Sequence, residues 1–354
     1  MTALAEKLKA RIAATGPLTL ADYMADCLMD PLHGYYATRD PFGTRGDFTT
    51  APEISQMFGE LVGLCLAQSW LDQGAPAPFV LAEPGPGRGT LMADIWRATR
   101  GVPGFHAAAR VHLIEASPPL RAVQRARLQG LPVNWHESID TLPDAPLWLV
   151  ANEFFDALPI RQFQRDGALW RERVVGLREG ALVLGLTDPA PRPELAHRLD
   201  DTRSGDIIEI CPAAVPVMKA LGARITGHRG AALIIDYGGW RSLGDTFQAL
   251  RGHAFDAPLA HPGEADLTAH VDFEALARAA PDLAHSALTP QGTWLRRLGI
   301  DARAAVLAQN LHGPALETHR AAHHRLTDSA EMGTLFKALA VVPPGAPLPA
   351  GFAP

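Results

Sequence analysis

Hydrophobic and polar positions follow three rhythms along the chain. In the first, Leu4, Leu8 and Ile12 recur at helical spacing, and Thr19 stands as an N-cap before Leu20 to Met24, which predicts two short helices over 1–30. Residues 31–52, rich in Pro, Gly, Asp and Thr, predict an ordered loop. A long apolar helix follows over 54–71, stopped by Asp72-Gln73-Gly74. In the second rhythm, short apolar runs at 79–83, 111–115, 133–136 and 147–153 alternate with helical stretches at 90–99 and 117–128. Ser117 is the N-cap of the latter and Pro118 occupies its first turn. Strands apolar on both faces, alternating with helices, predict a parallel sheet covered on both sides. The third rhythm starts at Leu158. Segments 160–164, 168–176 and 181–187 alternate with period two and are broken by Asp166-Gly167 and Glu179-Gly180, which predicts an antiparallel insertion. Helix 212–228 and strand 231–237 restore the α/β pattern. A long loop is expected after Gly238, then helices at 272–279, 291–298, 302–309 and 319–326 and a last strand at 336–342. The chain thus divides into a helical extension with an active-site loop (1–75), a cofactor-binding half (76–157), an inserted segment (158–229) and a second α/β half with added helices (230–354).

Composition narrows the functional classes. Of 354 residues, 47% are hydrophobic and 20% charged, so a large core is available and wholesale disorder is excluded. A net charge of −6 with mixed signs argues against a constitutive nucleic-acid binder and leaves a protein partner open. Cys27, Cys65 and Cys211 are odd in number and far apart, so neither a disulfide framework nor a zinc site is expected, and buried thiols in a reducing compartment are. No secretory signal or apolar run of about 20 residues is present, so a cytosolic chain without a membrane span is the expectation. The pair His323-His324 falls on a helix surface without ligand-spaced acids, and no metal is expected.

Candidate chemistry gathers at the strand ends. Glu83-Pro84-Gly85-Pro86-Gly87-Arg88-Gly89 follows a strand and opens a helix. Glycines there permit positive φ and close backbone approach, and the helix start favours an anion. A dinucleotide pyrophosphate or the carboxylate of a methionine moiety would both suit it. Glu83 would repel the former and attract the ammonium of S-adenosylmethionine, and alternate glycines depart from Gly-x-Gly-x-x-Gly. Glu115, ending the second strand, can accept from both ribose hydroxyls, or merely cap the next helix. Together these features favour S-adenosylmethionine over a dinucleotide or a purely structural turn. Gly85, Pro86, Gly87, Gly89 and His136, at the end of the third strand, are placed with them as cofactor residues.

Asn152-Glu153-Phe154-Phe155-Asp156 ends the fourth strand, where open α/β sheets bind ligands. Asn152 falls beside both cofactor and methyl acceptor. Glu153, with Asp156 as second candidate, suits a nitrogen nucleophile bearing a proton or positive charge; either acid could instead begin a helix. Phe154 or Phe155 could exclude water. The segment 41–53 carries too much specific polarity for a tether. It is read as a loop over the cofactor with Asp47, Phe48, Thr50 and Glu53 toward the substrate, although an ordered surface loop is the alternative. Tyr237, in Ile235-Asp236-Tyr237-Gly238, ends another strand at the same edge. His270 and Asp272 are weaker candidates, Asp272 equally a helix start.

Several stretches together resemble one family: Asp30-Pro31-Leu32-His33-Gly34-Tyr35-Tyr36, GDFTTAPEISQMFGE over 46–60, EPGPGRGTL over 83–91, ANEFFDALPIRQ over 151–162, ADLTAHVDF over 265–273, Pro290-Gln291-Gly292 and Met332 to Lys337. They resemble the MidA-type methyltransferases, bacterial and mitochondrial relatives of the arginine methyltransferase that assists assembly of respiratory complex I. The resemblance covers nearly the whole chain. It implies a class I methyltransferase fold, a Rossmann-like seven-stranded sheet with an N-terminal helical extension and an antiparallel β insertion. It also implies S-adenosyl-L-methionine as cofactor and symmetric dimethylation of an arginine in a complex I subunit, in bacterial cytosol or mitochondrial matrix; a homodimer is compatible with it. Pro84 stands where the family usually has Leu. The competing expectations are a small-molecule methyltransferase, a non-catalytic assembly chaperone and, more distantly, a nucleotide-dependent dehydrogenase.

Overall fold

The computed structural model describes residues 2–38 and 49–354, and the chain forms two compact units. One comprises Thr49–Phe155, Pro216–Gly238 and Leu276–Pro354. Its sheet runs in the order Ala284–His285, Phe336–Val342, Gly230–Gly239, Leu147–Asn152, Phe79–Pro84, Ala109–Ile114, Val133–His136. The last five are mutually parallel. Phe336–Val342 is antiparallel to both of its neighbours. This path has the seven strands that the resemblance implies, two further short strands pair off it, and Ala284–His285 is one that hydrophobic periodicity did not reveal.

Phe79–Pro84, Leu147–Asn152 and most of Gly230–Gly239 are buried along their length, as covering on both faces requires. Helix Gln56–Asp72 packs Phe58, Val62, Leu66 and Trp70 into this core. Trp70, Phe79, Phe105 and Trp148 form a chain of ring contacts with centroids 5.0–5.5 Å apart. Each such buried side chain contributes on the order of 2 kcal/mol. Gly59 and Gly63 let this helix press against helix Thr90–Ala98. A Cβ at Gly59 would lie 2.6 Å from Asp94 Cβ, and one at Gly63 2.9 Å from Ile95 Cα. Because Thr90–Ala98 starts at the glycine loop, this crossing fixes the loop's base.

The other unit comprises Met1–Phe48, Asp156–Val215 and Gly239–Ala275. Helices Ala3–Thr15 and Leu20–Met29 form where expected, and Thr19 Oγ1 accepts from Asp22 N at 3.1 Å as the predicted cap. The insertion is antiparallel as read: Leu169–Arg178 pairs with Arg161–Asp166, Ala181–Leu186 and Leu18–Thr19, and Arg161–Asp166 also pairs with Ile207–Ile210. The loop expected after Gly238 instead contains a three-stranded sheet of Gln248–Arg251, Ala254–Asp256 and Asp266–Thr268. These units group the chain differently from the four expected segments. Residues 49–75 go with the parallel sheet, since helix Gln56–Asp72 buries its apolar surface there, and 2–38 go with the insertion and 239–275. Among the described residues, no helix is long and apolar enough to cross a membrane.

Candidate active site

The glycine loop takes a left-handed course at alternate residues, with φ of 61° at Gly85, 51° at Gly87 and 78° at Gly89. Glycine has no Cβ penalty there. Gly85 N donates to Ile114 O at 3.0 Å and Gly89 N to Pro86 O at 2.7 Å, so the loop is hung on the neighbouring strand and closed by a tight turn around the buried Pro86. Pro84 brings no amide hydrogen, yet the bond from Gly85 holds the loop. A Cβ at Gly85 would meet Phe154 Cδ2 at 3.1 Å, so the aromatic after the fourth strand closes directly over the loop. Glu83 is buried beneath it. The Met92 amide, near the start of the following helix, hydrogen-bonds its carboxyl, and Oε2 has no partner. Burial pushes this acid up to about 8.

Glu115 follows the strand Ala109–Ile114. Its Oε1 accepts from Ser117 N at 2.8 Å and its Oε2 from Gln124 Nε2 at 3.1 Å. Burial raises its pKa above the ordinary value. The Ala116 amide also hydrogen-bonds this carboxylate, which still has acceptor capacity for a ligand hydroxyl. Gln124, fully buried, also donates to Gly87 O at 2.7 Å and accepts from Trp135 Nε1 at 2.8 Å. The His136 ring is engaged within the protein. Its Nε2 meets His112 Nδ1 at 2.7 Å and its Nδ1 meets Thr141 Oγ1 at 2.8 Å, which leaves no ring nitrogen for a cofactor. Burial, then Arg121, lowers its pKa, and burial with His136 pushes His112 down to about 4, so the pair is neutral. What His136 contributes is its carbonyl, which accepts from Glu115 N at 2.9 Å and Arg121 Nη2 at 3.0 Å.

At the end of Leu147–Asn152, no helix starts. Glu153 instead adopts φ of 50°, an uncommon conformation for a side chain with a Cβ. Such strain persists where surrounding bonds over-determine it. Glu153 N donates to Ile235 O at 2.9 Å, while its Oε1 accepts from both Asn152 Nδ2 and Ala51 N at 3.0 Å. Asp236, fully buried, accepts from Phe155 N through Oδ2 and from Tyr237 N through Oδ1, each at 3.0 Å. Asn152 Oδ1 is buried without a partner. The short helix Ala51–Ile54 links two parts of the site: Ala51 binds Glu153, and Glu53 accepts from Thr90 Oγ1 at the start of the glycine-loop helix. Thr50 contributes its carbonyl, which accepts from Glu53 N and Ile54 N, while its hydroxyl makes no cap.

Of the remaining expected residues, Tyr237 is buried edge-to-face against Phe336, with centroids 5.3 Å apart. Asp47 and Phe48 lie outside the described residues. Asp156 belongs to the other unit. There its carbonyl accepts from Ala269 N at 3.0 Å, and burial, then the charges of Asp266 and Asp156, raise the pKa of Tyr36. Asp272 caps a helix by accepting from Ala275 N at 2.8 Å. Sequence reasoning did not single out Gln124, Asp236 or the Ala51 amide. Only Asp236 left a signal, a charged residue inside an otherwise apolar strand.

These groups fit S-adenosylmethionine. The left-handed glycine cradle would be strained by any Cβ, the orphaned Glu83 Oε2 is an acceptor for an ammonium, and the Glu115 carboxylate is an acceptor for a ribose. Residues 61–291 match a family described as "Putative S-adenosyl-L-methionine-dependent methyltransferase". The chain is 36% identical to the mitochondrial protein arginine methyltransferase NDUFAF7 of Xenopus tropicalis, covering 96% of this chain and 86% of that one. It is 35% identical to the human protein of that name, over 97% and 84%. A crystal structure of a Burkholderia thailandensis protein bound to S-adenosyl-homocysteine superposes with a TM-score of 0.84 at 31% identity, covering 99% of this chain and 94% of that one. The chain thus belongs to the S-adenosyl-L-methionine-dependent methyltransferase family.

Proposed function

We propose that the protein is a protein arginine N-methyltransferase, that its target is an arginine of a respiratory complex I subunit, and that the product is symmetric dimethylarginine. The mitochondrial relatives carry the arginine methyltransferase name, and the subunit and product come from the resemblance. The reaction then belongs where complex I is assembled, in bacterial cytosol or mitochondrial matrix.

One observation carries the reading: the Glu153 carboxylate is locked at the end of the fourth strand with the buried, unpartnered Asn152 Oδ1 beside it. An arginine guanidinium has a pKa near 13.8, so a nitrogen that gains a methyl group must be oriented and must shed a proton. When bound, S-adenosylmethionine supplies the electrophilic methyl group. Glu83 and the glycine loop hold its methionine end and Glu115 its ribose. Glu153 accepts N–H bonds from the guanidinium, spreads its charge and receives the proton it loses. Asn152 Oδ1 accepts a further N–H. Because Asn152 Nδ2 and Ala51 N already hold Glu153, little reorganisation accompanies transfer.

Glu153→Gln keeps the shape and removes the charge. It should lower methyl transfer by about 100-fold or more while S-adenosylhomocysteine still binds. Intact masses of complex I subunits from cells carrying wild type, Glu153→Gln or no gene provide the test. The expected result is a subunit lacking two methyl groups in the latter two strains. Unchanged masses for every subunit would sink the proposed target, and normal methylation by the variant would sink the role of Glu153.

A further inference from the structure

Gln124 lies on helix Pro118–Arg127, outside every motif that the chemistry above uses, yet it touches three parts of the cofactor site. Its side-chain amide has two donor hydrogens and one acceptor oxygen. One hydrogen goes to Gly87 O at 2.7 Å, the other to Glu115 Oε2 at 3.1 Å, and the oxygen accepts from Trp135 Nε1 at 2.8 Å. Only one orientation satisfies these partners. A flipped amide would set its oxygen against a carbonyl and a carboxylate, and its hydrogens against an indole N–H that can only donate. The indole therefore acts as a lock. Its ring is held in turn by the Arg125 guanidinium, 4.9 Å from the centroid. The next turn of the same face also backs the loop: a Cβ at Gly89 would meet Leu128 Cδ1 at 3.4 Å and Gln124 Cγ at 3.6 Å.

We infer that Gln124 is a positioning residue for cofactor binding, which ties the left-handed Gly87 peptide to the ribose acid Glu115 and is locked in orientation by Trp135. The inference rests on the cofactor assignment. One rigid amide thus sets the separation between the groups that hold the two ends of the ligand. The two groups belong to different strand ends, and without the amide each could settle independently. Neutral glutamine suits this place because its second partner is an anion; a carboxylate there would face Glu115 and the Gly87 carbonyl.

Calorimetry with S-adenosylhomocysteine on the full chain tests this, with thermal melting as the control for folding. Gln124→Met retains the volume and loses both donors. It should weaken binding by about 10- to 100-fold, as expected when both donated hydrogen bonds and the one accepted from Trp135 are lost. KM for S-adenosylmethionine should rise in parallel while kcat at saturation stays within about twofold, since the chemistry is built on other residues. Trp135→Phe removes only the lock and should weaken binding by about three- to tenfold. It keeps the test decisive if Gln124→Met does not fold. Gln124→Glu should bind progressively worse as pH rises, because its carboxylate then repels Glu115. A folded Gln124→Met or Trp135→Phe that binds within about twofold of wild type overturns the inference, as does a Gln124→Glu profile parallel to that of wild type. Failure of wild type to bind would overturn the cofactor assignment itself, and this inference with it.

Discussion

Replacing Glu83 with glutamine should flatten the acid limb of the pH profile for cofactor binding. Burial holds this carboxyl up to about 8, against an ordinary value of 4.5. The α-ammonium that it would receive has a pKa of about 7.7–8.0. The attractive pair is carboxylate with ammonium. Its population therefore peaks near pH 8 and falls about tenfold per unit toward pH 6, or about 1.4 kcal/mol per unit. Binding on that limb should release close to one proton. Glu83→Gln preserves the size of the side chain and an acceptor for the Met92 amide but has nothing to ionise, so its affinity should be level between pH 6 and 7. Titration calorimetry with S-adenosylhomocysteine in two buffers of different ionisation enthalpy measures both affinity and proton release. A wild-type dissociation constant independent of pH between 6 and 8 would refute the reasoning, as would an equal slope in Glu83→Gln. The same burial acts oppositely on folding. A carboxyl raised in the folded state contributes stability below its unfolded value of 4.5 that is lost as pH rises toward 8. The ligand-free fold should therefore weaken over the range in which ligand binding strengthens.

Two further substitutions probe the frame around the site. Gly85→Ala forces a Cβ onto a residue with φ of 61° and places it 3.1 Å from Phe154. A cost of about 1–2 kcal/mol, a melting temperature several degrees lower (about 2–4 °C per kcal/mol) and loss of most of the thermal shift given by S-adenosylhomocysteine are expected; an unchanged shift would contradict the loop geometry. Glu60 is buried between Arg97 and Arg303, accepting from Arg97 Nη1 at 2.6 Å and Arg303 Nε at 2.7 Å. Burial alone would raise its pKa, but the two guanidinium groups together bring it below the ordinary value. Its stabilisation is therefore complete above about pH 4.5 and lost as pH falls through the depressed value. Glu60→Ala should cost about 1–3 kcal/mol at pH 7 in urea unfolding, with the deficit shrinking in acid, and an equal deficit at low pH would show that packing alone is responsible.

The parallel strands, the glycine loop and the antiparallel insertion were legible in the sequence because each rests on local patterning: apolar runs, left-handed glycines and Asp-Gly or Glu-Gly breaks. Ala284–His285 and Gln248–Arg251 were not, since two to four residues cannot display a period and their pairing depends on distant strands. Glu153 was legible as a candidate acceptor for a nitrogen nucleophile, but its left-handed backbone was invisible. That conformation is imposed by Ile235, Asn152 and Ala51 rather than by its neighbours in sequence. For His136, the surroundings of the ring were equally hidden. Its position at a strand end suggests a ligand contact, but His112 and Thr141 take up its ring. Gln124 gave no signal, because a glutamine on a helix reads as a solvated side chain until the helix's neighbours are known.

The place of Phe336–Val342 in the sheet has a consequence for how the protein is made. This strand pairs Ala338 with Ile235, roughly 100 residues earlier in the chain. A ribosome adding about 5–20 residues each second spends on the order of 5–20 s on that stretch. Throughout this interval Ala232, Leu233, Ile234 and Ile235, all buried in the finished protein, present an unpaired apolar edge. The nascent chain must therefore keep its central sheet, open on one side, from pairing elsewhere until the late strand arrives.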